Sequence, residues 1–238
     1  MTLLLLFALR AQFLMGTVCE ISAANPEPAF AEARRIEAMI STWRDDSELS
    51  RLNHGQISKP SPELDALLRE AMAISRETGG AFDPQVGRFT LPRRGATGLI
   101  DEGGFGKGYA LDRMLAVTAG DAVINFGGQI DVRGSQEVAI AHPLHRDKPL
   151  VTLILRDASL STSSDSEQPG HIVDPATGKS VPSWGSASVI DHSAFRADAL
   201  STALYVMGPE RGLAWARAHD VTAVFISQSG EITWSRKP

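Results

Sequence analysis

The chain has 238 residues, of which 43% are hydrophobic and 21% are charged, with a net charge of -5 and an isoelectric point near 5.7. This length and composition are typical of a globular protein with a substantial core, and the acidic balance argues against a nucleic-acid partner, which would require a basic surface. The single cysteine, Cys19, excludes a disulfide within the chain, and the sequence contains no Cys/His cluster that would indicate a zinc site.

The N-terminal stretch Met1–Ile21 opens with an apolar run that is too short to cross a membrane. No positive residue precedes the run and no convincing cleavage site follows it, so it is a poor export signal. The residues before Cys19 also make this cysteine a poor site for lipid attachment. We therefore expect no transmembrane segment and a cytoplasmic location, and we interpret Leu14–Ile21 as the first strand.

Two amphipathic helices are predicted next. An apolar stripe at helical spacing predicts the first over 26–40, with Asn25 as its N-cap and proline in its first turn. The polar segment Trp43–Asn53 is predicted as a loop or short helix at the surface. Apolar residues at i, i+3, i+4 and i+7 predict the second helix, which begins at Ser61 and ends at the glycine pair that starts with Gly79.

The stretch Leu99–Arg113 is the centre of the predicted architecture, because it contains a strand end, a glycine turn and the start of a helix. Leu99 and Ile100 are predicted to end a buried strand, and Lys107 lies at the start of a helix with an apolar stripe. Glycines in such a turn allow the backbone and the helix N-terminus to approach an anion such as phosphate. Their spacing matches neither the dinucleotide-binding fingerprint nor the P-loop, and a tight turn without a ligand is the alternative. The glycines are Gly103, Gly104, Gly106 and Gly108.

The remaining chain is predicted to be mostly sheet in its middle and helical towards its end. Short apolar or alternating runs predict strands, whereas 160–170 is predicted as a polar loop and 88–97 as a surface connection. The predicted strands cover 122–126, 137–141, 150–155 and 187–191. A helix over Arg196–Met207, and a final helix with two strands over 209–234, complete the chain. No linker or repeat divides it, so we expect a single domain over residues 1–238.

Asp198 and Thr202 are four residues apart on a predicted helix and therefore share a face. With a backbone carbonyl near Gly104 they suit a partial Mg²⁺ shell, since Mg²⁺ prefers few carboxylates supplemented by other oxygens. The alternative is that Asp198 is a first-turn acid favoured by the helix dipole and that Thr202 packs. His171 suits either general-base catalysis or a structural hydrogen bond.

Three further side chains have the same ambiguity. Asp83 precedes a proline in a turn, where aspartate is common for conformational reasons. Lys107 suits either a phosphate or solvent. Trp43 suits either stacking on a planar ring or packing against the core.

Several motifs occur in a characteristic order between Met15 and Gly208. They are Met15-Gly16-Thr17, Asp46–Asn53, Gly79–Pro84, Ile100-Asp101 with Gly103–Ala110, Asn125–Gly128, His171–Pro175 with Thr177-Gly178, and Ala197–Ala203. In this order the motifs resemble those of the FAD:protein FMN transferase family, known as ApbE. Each motif alone is weak, but the full set in one order is difficult to obtain by chance.

The resemblance implies an α/β (α+β) fold, with a single T-fold-related domain that has a mixed, largely antiparallel sheet and packed helices. It implies FAD as substrate, Mg²⁺ as cofactor, and an acceptor protein with a target threonine as partner. The implied reaction transfers FMN from FAD to the threonine hydroxyl through a phosphoester bond and releases AMP. Two alternatives retain the FAD site, namely an FAD pyrophosphatase that forms FMN and AMP, and a non-catalytic FAD-binding protein. Because relatives often act in the periplasm or at a membrane anchor, the compartment is left open.

The resemblance also assigns roles position by position. The residues implied to contact FAD are Met15, Trp43, Ala81, Phe82, Asp83, Asp101, Lys107 and Ile172. The residues implied to bind the metal are Gly104, through its carbonyl, Asp198, Ser201 and Thr202. His171 matches a proposed general base, and with Asp198 it forms the predicted catalytic pair. The chain departs from the family pattern at Trp43, where tyrosine is usual, at Glu102, where an aliphatic residue is usual, and at Ser164, where glycine is common.

Overall fold

The computed structural model describes residues 9–166 and 168–237. Within these residues eight strands form one sheet, in which each strand pairs with its neighbour in the chain and every pairing is antiparallel. The predicted mixture of strand directions is therefore absent from the described sheet. The strands are β1 (Leu9–Leu14), β2 (Thr17–Ala23), β3 (Ala122–Phe126), β4 (Gln129–His142), β5 (His145–Ser164), β6 (Gly185–Asp191), β7 (Thr222–Ser227) and β8 (Ile232–Trp234).

The helices occur in two groups. Those between β2 and β3 are α1 (Glu27–Ile40), α2 (Glu48–Asn53), α3 (Pro62–Glu77), α4 (Gly87–Thr90) and α5 (Gly106–Val117). Those between β6 and β7 are α6 (Ala194–Met207) and α7 (Pro209–Ala218). Short 3₁₀ turns lie at Pro84–Val86, Leu91–Arg94 and Glu102–Gly104. The predicted α/β class with packed helices is confirmed.

Side-chain caps define where the long helices begin. The Ser61 hydroxyl accepts a hydrogen bond from the Leu64 N–H at 3.3 Å, as predicted for α3. The α1 helix begins one residue later than predicted, so its N-cap is Pro26 and not Asn25, although the Asn25 side chain accepts from the Glu27 N–H at 3.3 Å. The α6 helix begins two residues before the predicted start, because Ser193 caps it.

The two faces of the sheet support different layers. Successive β7 side chains point to opposite faces, so that Ala223 and Phe225 pack with the helices, whereas Val224 and Ile226 pack with a second apolar cluster. The long β4–β5 hairpin supplies Val138 to this second cluster. On the helical side, α6 is buried around almost its whole circumference and contacts α5, α7, β5 and β6. It therefore forms the centre of the helical layer.

The predicted strand Leu14–Ile21 is confirmed only from Thr17 onward, because the chain reverses direction before it. Met15 and Gly16 have φ values of 47° and 75° and form the turn between β1 and β2. The Met15 N–H donates to the Glu37 carboxylate at 2.9 Å, which holds the turn against α1. A residue other than glycine is uncommon at positive φ, so the sequence carries no clear sign of this turn.

The predicted buried strand end at Leu99 and Ile100 is also wrong. The Asn53 side chain takes the place of a neighbouring strand: its Oδ1 accepts from the N–H groups of Leu99 and Ile100 at 3.2 and 3.0 Å, and its Nδ2 donates to the Ile100 carbonyl at 2.8 Å. Leu99 is exposed. One side chain thus supplies the hydrogen-bond partners that a neighbouring strand had been expected to supply.

Three segments that were predicted as loops or surface connections, one of them alternatively as a short helix, contain regular structure. The predicted loop 160–170 continues β5 as far as Ser164, because the buried Ser161 and the half-buried Ser163 both find a hydroxyl partner and need no apolar pattern. The predicted surface connection 88–97 contains most of α4 and a 3₁₀ turn, with Leu91 buried. The predicted segment Trp43–Asn53 contains the short helix α2, whose Leu49 is fully buried.

The predictions for the N-terminal stretch concern residues that the structure describes only from Leu9 onward. The first eight residues, which contain most of the apolar run, lie outside the described residues. Among the described residues, no helix combines the length and apolar character that a membrane crossing requires. Cys19 is fully buried on β2, and burial raises the pKa of its thiol to about 12.

Candidate active site

A cleft of about 810 Å³ opens where one end of the sheet meets the helical layer. Its walls are the β1–β2 turn, the β3–β4 turn, the end of β5, the start of α5, the middle of α6 and the segment 168–175. These strand ends meet because neighbouring strands are antiparallel and follow the chain order. A volume of this size is typical of a small-molecule site.

The cleft brings together residues that are distant in the sequence. All predicted site residues line it except Ser201, which is fully buried beside Asp198 on α6. The predicted residues that line the cleft are Met15, Trp43, Ala81, Phe82, Asp83, Asp101, Gly104, Lys107, His171, Ile172, Asp198 and Thr202. Their roles are not tested by their location alone.

Asp198 lies at the base of the cleft and is 6% exposed. Its Oδ2 accepts from the Gly108 N–H at 2.9 Å, and its Oδ1 accepts from the Ser161 hydroxyl at 3.4 Å. Burial raises the pKa of Asp198, whereas the Lys107 charge and these two hydrogen bonds act in the opposite direction. The carboxylate is thus held from two sides, and its burial favours a positive partner in the cleft.

Hydroxyl groups surround Asp198. The Ser201 and Thr202 hydroxyls donate to the Asp198 carbonyl at 3.0 and 3.2 Å. From β5, Ser163 contacts the Ser201 hydroxyl at 2.9 Å and the Thr202 hydroxyl at 3.3 Å, and Ser161 contacts Ser201 at 3.3 Å. The result is a cluster of oxygen atoms at the junction of α6 and β5.

The four glycines of the central turn have two different functions. Gly103 and Gly104 line the cleft, and a Cβ atom on Gly104 would lie 3.4 Å from the Thr202 side chain and from Phe82. Gly106 and Gly108 instead permit close protein contacts, because a Cβ atom on Gly108 would lie 2.4 Å from the Ala194 carbonyl oxygen of α6. Half of the predicted phosphate-binding glycines therefore serve helix packing.

Asp101 lies on the opposite side of the glycine turn and is 7% exposed. Its Oδ1 accepts from the Gly103 N–H at 3.0 Å, and its Oδ2 accepts from Arg94 at 3.0 Å and from the Thr90 hydroxyl. The Arg94 guanidinium carbon also lies 4.4 Å from the centre of the Trp43 ring. Trp43 is 73% exposed at the mouth of the cleft.

The segment Ala81–Asp83 forms another wall. Phe82 is nearly buried and packs edge-on against Phe105, with ring centres 6.2 Å apart. The Phe82 N–H donates to the Thr78 hydroxyl at 3.3 Å, and Asp83 caps the following 3₁₀ turn by accepting from the Gln85 N–H at 2.8 Å. Phe82 can therefore offer a ligand little more than its backbone and one ring edge.

His171 has a defined hydrogen-bonding state. Its Nδ1 lies 2.6 Å from the Gln168 carbonyl oxygen, which can only accept, so Nδ1 carries the proton and Nε2 is the free acceptor of the neutral ring. Asp165 Oδ1 lies 3.7 Å from Nδ1. The adjacent Ile172 is buried, and its carbonyl accepts from the Val181 N–H at 2.9 Å, which anchors the segment.

Sequence reasoning missed several side chains of the cleft. Ser161 and Ser163 were not predicted as site residues, because the polar run 160–170 resembles a loop. The two serines are two residues apart, which is the strand period and could have indicated that they share a face. Arg93 and Arg94 lie in a segment that had been predicted as a surface connection. Asn125 lines the cleft and its Oδ1 accepts from the Gly128 N–H at 3.1 Å, which holds the β3–β4 turn.

Comparison with known proteins identifies the family. The model of the ApbE family matches residues 15–91 and 88–226, which is most of the chain. The chain belongs to the ApbE family. Two relatives named FAD:protein FMN transferase, from Vibrio cholerae serotype O1 and Treponema pallidum, are each 27% identical to it. The alignments cover 91% of this chain and 86% and 83% of the respective relatives.

Solved structures of ApbE proteins have the same fold. The ApbE protein of Thermotoga maritima superposes with a TM-score of 0.84 at 23% identity, over 97% of both chains. The flavin transferase ApbE of Vibrio cholerae superposes with a TM-score of 0.78 at 24% identity, over 96% of both chains. At these identities the similarity establishes the ApbE fold and nothing further.

This ApbE-family chain lacks some segments that a relative has. The alignment with the Vibrio cholerae protein runs over 289 positions but covers only 91% of the 238 residues, so that relative has segments without a counterpart here. The two pieces of the family match meet at residues 88–91. This junction lies at the end of α4 and the start of the 3₁₀ turn Leu91–Arg94.

Proposed function

We propose that the protein is a Mg²⁺-dependent FAD:protein FMN transferase, which attaches FMN to a threonine hydroxyl of an acceptor protein and releases AMP. The observation that carries this proposal is the convergence of Asp198, Thr202, Gly104, Lys107 and His171 on one cleft. This set combines oxygen atoms for a hard cation, a positive charge for phosphate and a group for proton transfer, which are the requirements of phosphoryl transfer. The relatives named FAD:protein FMN transferase support the same reaction.

The chemistry of the donor atoms fits Mg²⁺. The Asp198 carboxylate, the Thr202 hydroxyl and the Gly104 carbonyl would hold it, whereas Ser201 is fully buried and donates to the Asp198 backbone carbonyl. Within residues 9–166 and 168–237, no cluster of three or more His, Cys, Asp or Glu side chains could hold a metal. A single buried carboxylate suits Mg²⁺, whose shell is usually completed by water and substrate phosphates. When bound, Mg²⁺ neutralises the negative charge of the diphosphate.

The protein's own groups account for the remaining steps. The threonine oxygen bonds to the phosphorus of the FMN half of FAD, the bond from this phosphorus to the bridging oxygen breaks, and AMP leaves with that oxygen. His171 accepts the hydroxyl proton at Nε2, because its Nδ1 proton is engaged by the Gln168 carbonyl. The His171 side chain is 45% exposed, which leaves it accessible to a hydroxyl of a second protein.

The cleft walls suit the two ends of FAD. The exposed ring of Trp43 offers a face for stacking on a planar ring system. Met15, Asp101 and Ile172 lie around the same cleft, and Lys107 lies near the carboxylate that we assign to the metal. We infer that Lys107 binds a diphosphate oxygen.

The proposal is tested by incubating the protein with FAD, Mg²⁺ and a threonine-containing acceptor peptide, followed by mass spectrometry. We expect the peptide to gain one FMN group for each AMP released, and chelation of Mg²⁺ to stop the reaction. Asp198→Asn should abolish transfer with little change in melting temperature, because it removes a metal ligand but no packing. The matched control is Asp65→Asn, which alters an exposed acid on α3.

Each other result has a defined meaning. Release of FMN and AMP without peptide labelling would make the protein an FAD pyrophosphatase. FAD binding without turnover would make it a flavin-binding protein. Normal Mg²⁺-dependent transfer by Asp198→Asn would remove Asp198 from the metal site.

A further inference from the structure

Three arginines, one on α4 and two in the 3₁₀ turn that follows it, contact three walls of the cleft. Arg88 lies 3.4 Å from Asp83 and donates to the Pro175 carbonyl at 3.3 Å. Arg93 donates to the carbonyls of Gly170 and Gly178 at 3.3 and 3.1 Å. Arg94 contacts the Trp43 wall. The segment 88–94 therefore joins the cleft walls to one another.

Arg94 makes the most specific of these contacts. Its Nη2 donates to Asp101 Oδ2 at 3.0 Å and to the Thr42 hydroxyl at 3.1 Å. Its guanidinium carbon lies 4.4 Å from the centre of the Trp43 ring, within the range of a cation–π contact. The Arg94 side chain is 23% exposed, so solvent screens these contacts only in part.

Trp43 depends on this contact for its orientation. The backbone beside it is anchored, because the Thr42 N–H donates to Glu102 at 3.0 Å and the Trp43 N–H donates to Ser41 at 3.3 Å. The indole ring itself is largely exposed. A guanidinium against one face of the ring leaves the other face for a ligand and restrains the ring before the ligand binds.

We propose that Arg94 is a positioning residue for FAD, which orients Trp43 for stacking and holds Asp101 in place beside the glycine turn. This inference rests on the proposed function. Arginine is required because its planar group stacks on the indole while its nitrogen atoms donate in the plane, whereas lysine supplies only a point charge. The relevant ligand chemistry is a planar ring system linked to a diphosphate.

The first test observes Trp43 without FAD. The protein has four tryptophans, so ¹⁵N labelling yields few indole N–H signals, and Trp43→Phe identifies that of Trp43. Arg94→Met should lower the heteronuclear NOE of this signal, because the ring loses its restraint on the picosecond–nanosecond timescale. Arg44→Met is the matched control, since Arg44 is an exposed neighbour paired with Asp46 and is expected to leave the signal unchanged.

The second test measures the flavin reaction. Arg94→Met should raise the KM for FAD by about 3- to 30-fold, the range of a partly desolvated cation–π contact, with a smaller change in kcat. Arg94→Lys should reverse less than half of the increase in the logarithm of the KM for FAD that Arg94→Met causes. In a Trp43→Ala background, Arg94→Met should raise the KM less than in the wild type, because the stacking partner is already absent.

The outcomes separate this inference from the proposed function. A wild-type protein that neither binds nor converts FAD would overturn the proposed function, while the Trp43 signal would still decide whether Arg94 orients the ring. The inference would be overturned if Arg94→Met leaves the Trp43 signal unchanged. It would also be overturned if the wild-type protein turns over FAD and Arg94→Met has the same KM for FAD. If Arg94→Met does not fold, Arg94→Lys is measured in the same way, and wild-type values for both readouts would again overturn it.

Discussion

His171 illustrates how one hydrogen bond defines a chemical role. Because the Gln168 carbonyl engages Nδ1 at 2.6 Å, Nε2 has no proton in the neutral ring. We expect His171→Ala to slow FMN transfer by about 10²- to 10⁴-fold, the usual contribution of a general base. FAD affinity should change little. Single-turnover rates at saturating FAD, together with equilibrium binding of FAD, measure the two effects separately.

The matched control for this prediction is His219→Ala. His219 is an exposed histidine that stacks on Trp215, with ring centres 4.0 Å apart, and does not line the cleft. This variant should transfer FMN at the wild-type rate. If His171→Ala instead weakens FAD binding and reacts normally at saturation, His171 is a binding residue and not a base.

At the scale of elements, the crossing of α5 and α6 positions the base of the cleft. The two helices approach closely at Gly108, whose N–H donates to Asp198 at 2.9 Å. This hydrogen bond uses a free N–H group in the first turn of α5, where helical partners are lacking. The helix crossing thus fixes the carboxylate that we assign to the metal.

Gly108→Ala should separate these helices. The added Cβ would lie 2.4 Å from the Ala194 carbonyl oxygen and 2.7 Å from the Asp198 Cβ, so the backbone must shift. We expect a loss of about 1–3 kcal/mol in the free energy of unfolding, as in other overpacked cores, measured by urea denaturation. Gly104→Ala is the contrast, since its Cβ would make ordinary contacts at 3.4 Å. A variant of Gly108 that keeps wild-type stability would contradict the close approach.

Helices were predicted more accurately than turns for a local reason. The apolar stripe and the serine cap of α3 lie within a single stretch of chain, and the helix begins at Pro62 as expected. The β1–β2 turn at Met15 depends on Glu37, a residue of a different element. The Leu99–Ile100 backbone likewise depends on Asn53. Such long-range partners have no signature in the local pattern.

At the scale of the whole molecule, a buried acid makes stability depend on pH. Asp131 is 2% exposed on β4, and its Oδ2 has no hydrogen-bond partner among the described residues. Burial, aided by the Asp112 charge, raises the pKa of Asp131 from 3.8 to about 7. The folded protein therefore binds more protons than the unfolded chain between these values, so stability falls as the pH rises through this range.

We expect the free energy of unfolding to decrease by about 1–3 kcal/mol between about pH 5.5 and about pH 8 through this group. Asp131→Asn should remove this part of the decrease, as measured by urea denaturation at both pH values. It should leave the part that comes from Glu102, because burial also raises the pKa of Glu102 to about 7. Glu32→Gln should retain it, because the hydrogen bond and charge of Arg35 lower the pKa of Glu32, whose titration lies at lower pH. An Asp131→Asn protein with the wild-type slope would exclude Asp131 as the source.

The sequence by itself determined the acidic, single-cysteine character of the chain, most helices, the order of the motifs and, through that order, the family and part of the cleft lining. These features depend on local periodicity or on residue identity. Only the tertiary structure decided that Gly108 packs against α6, that Ser161 and Ser163 contact Asp198 and Ser201 respectively, and that Arg94 contacts Trp43. The physical reason is that each of these contacts joins elements distant in sequence, and their partners are selected by the packing of the whole chain.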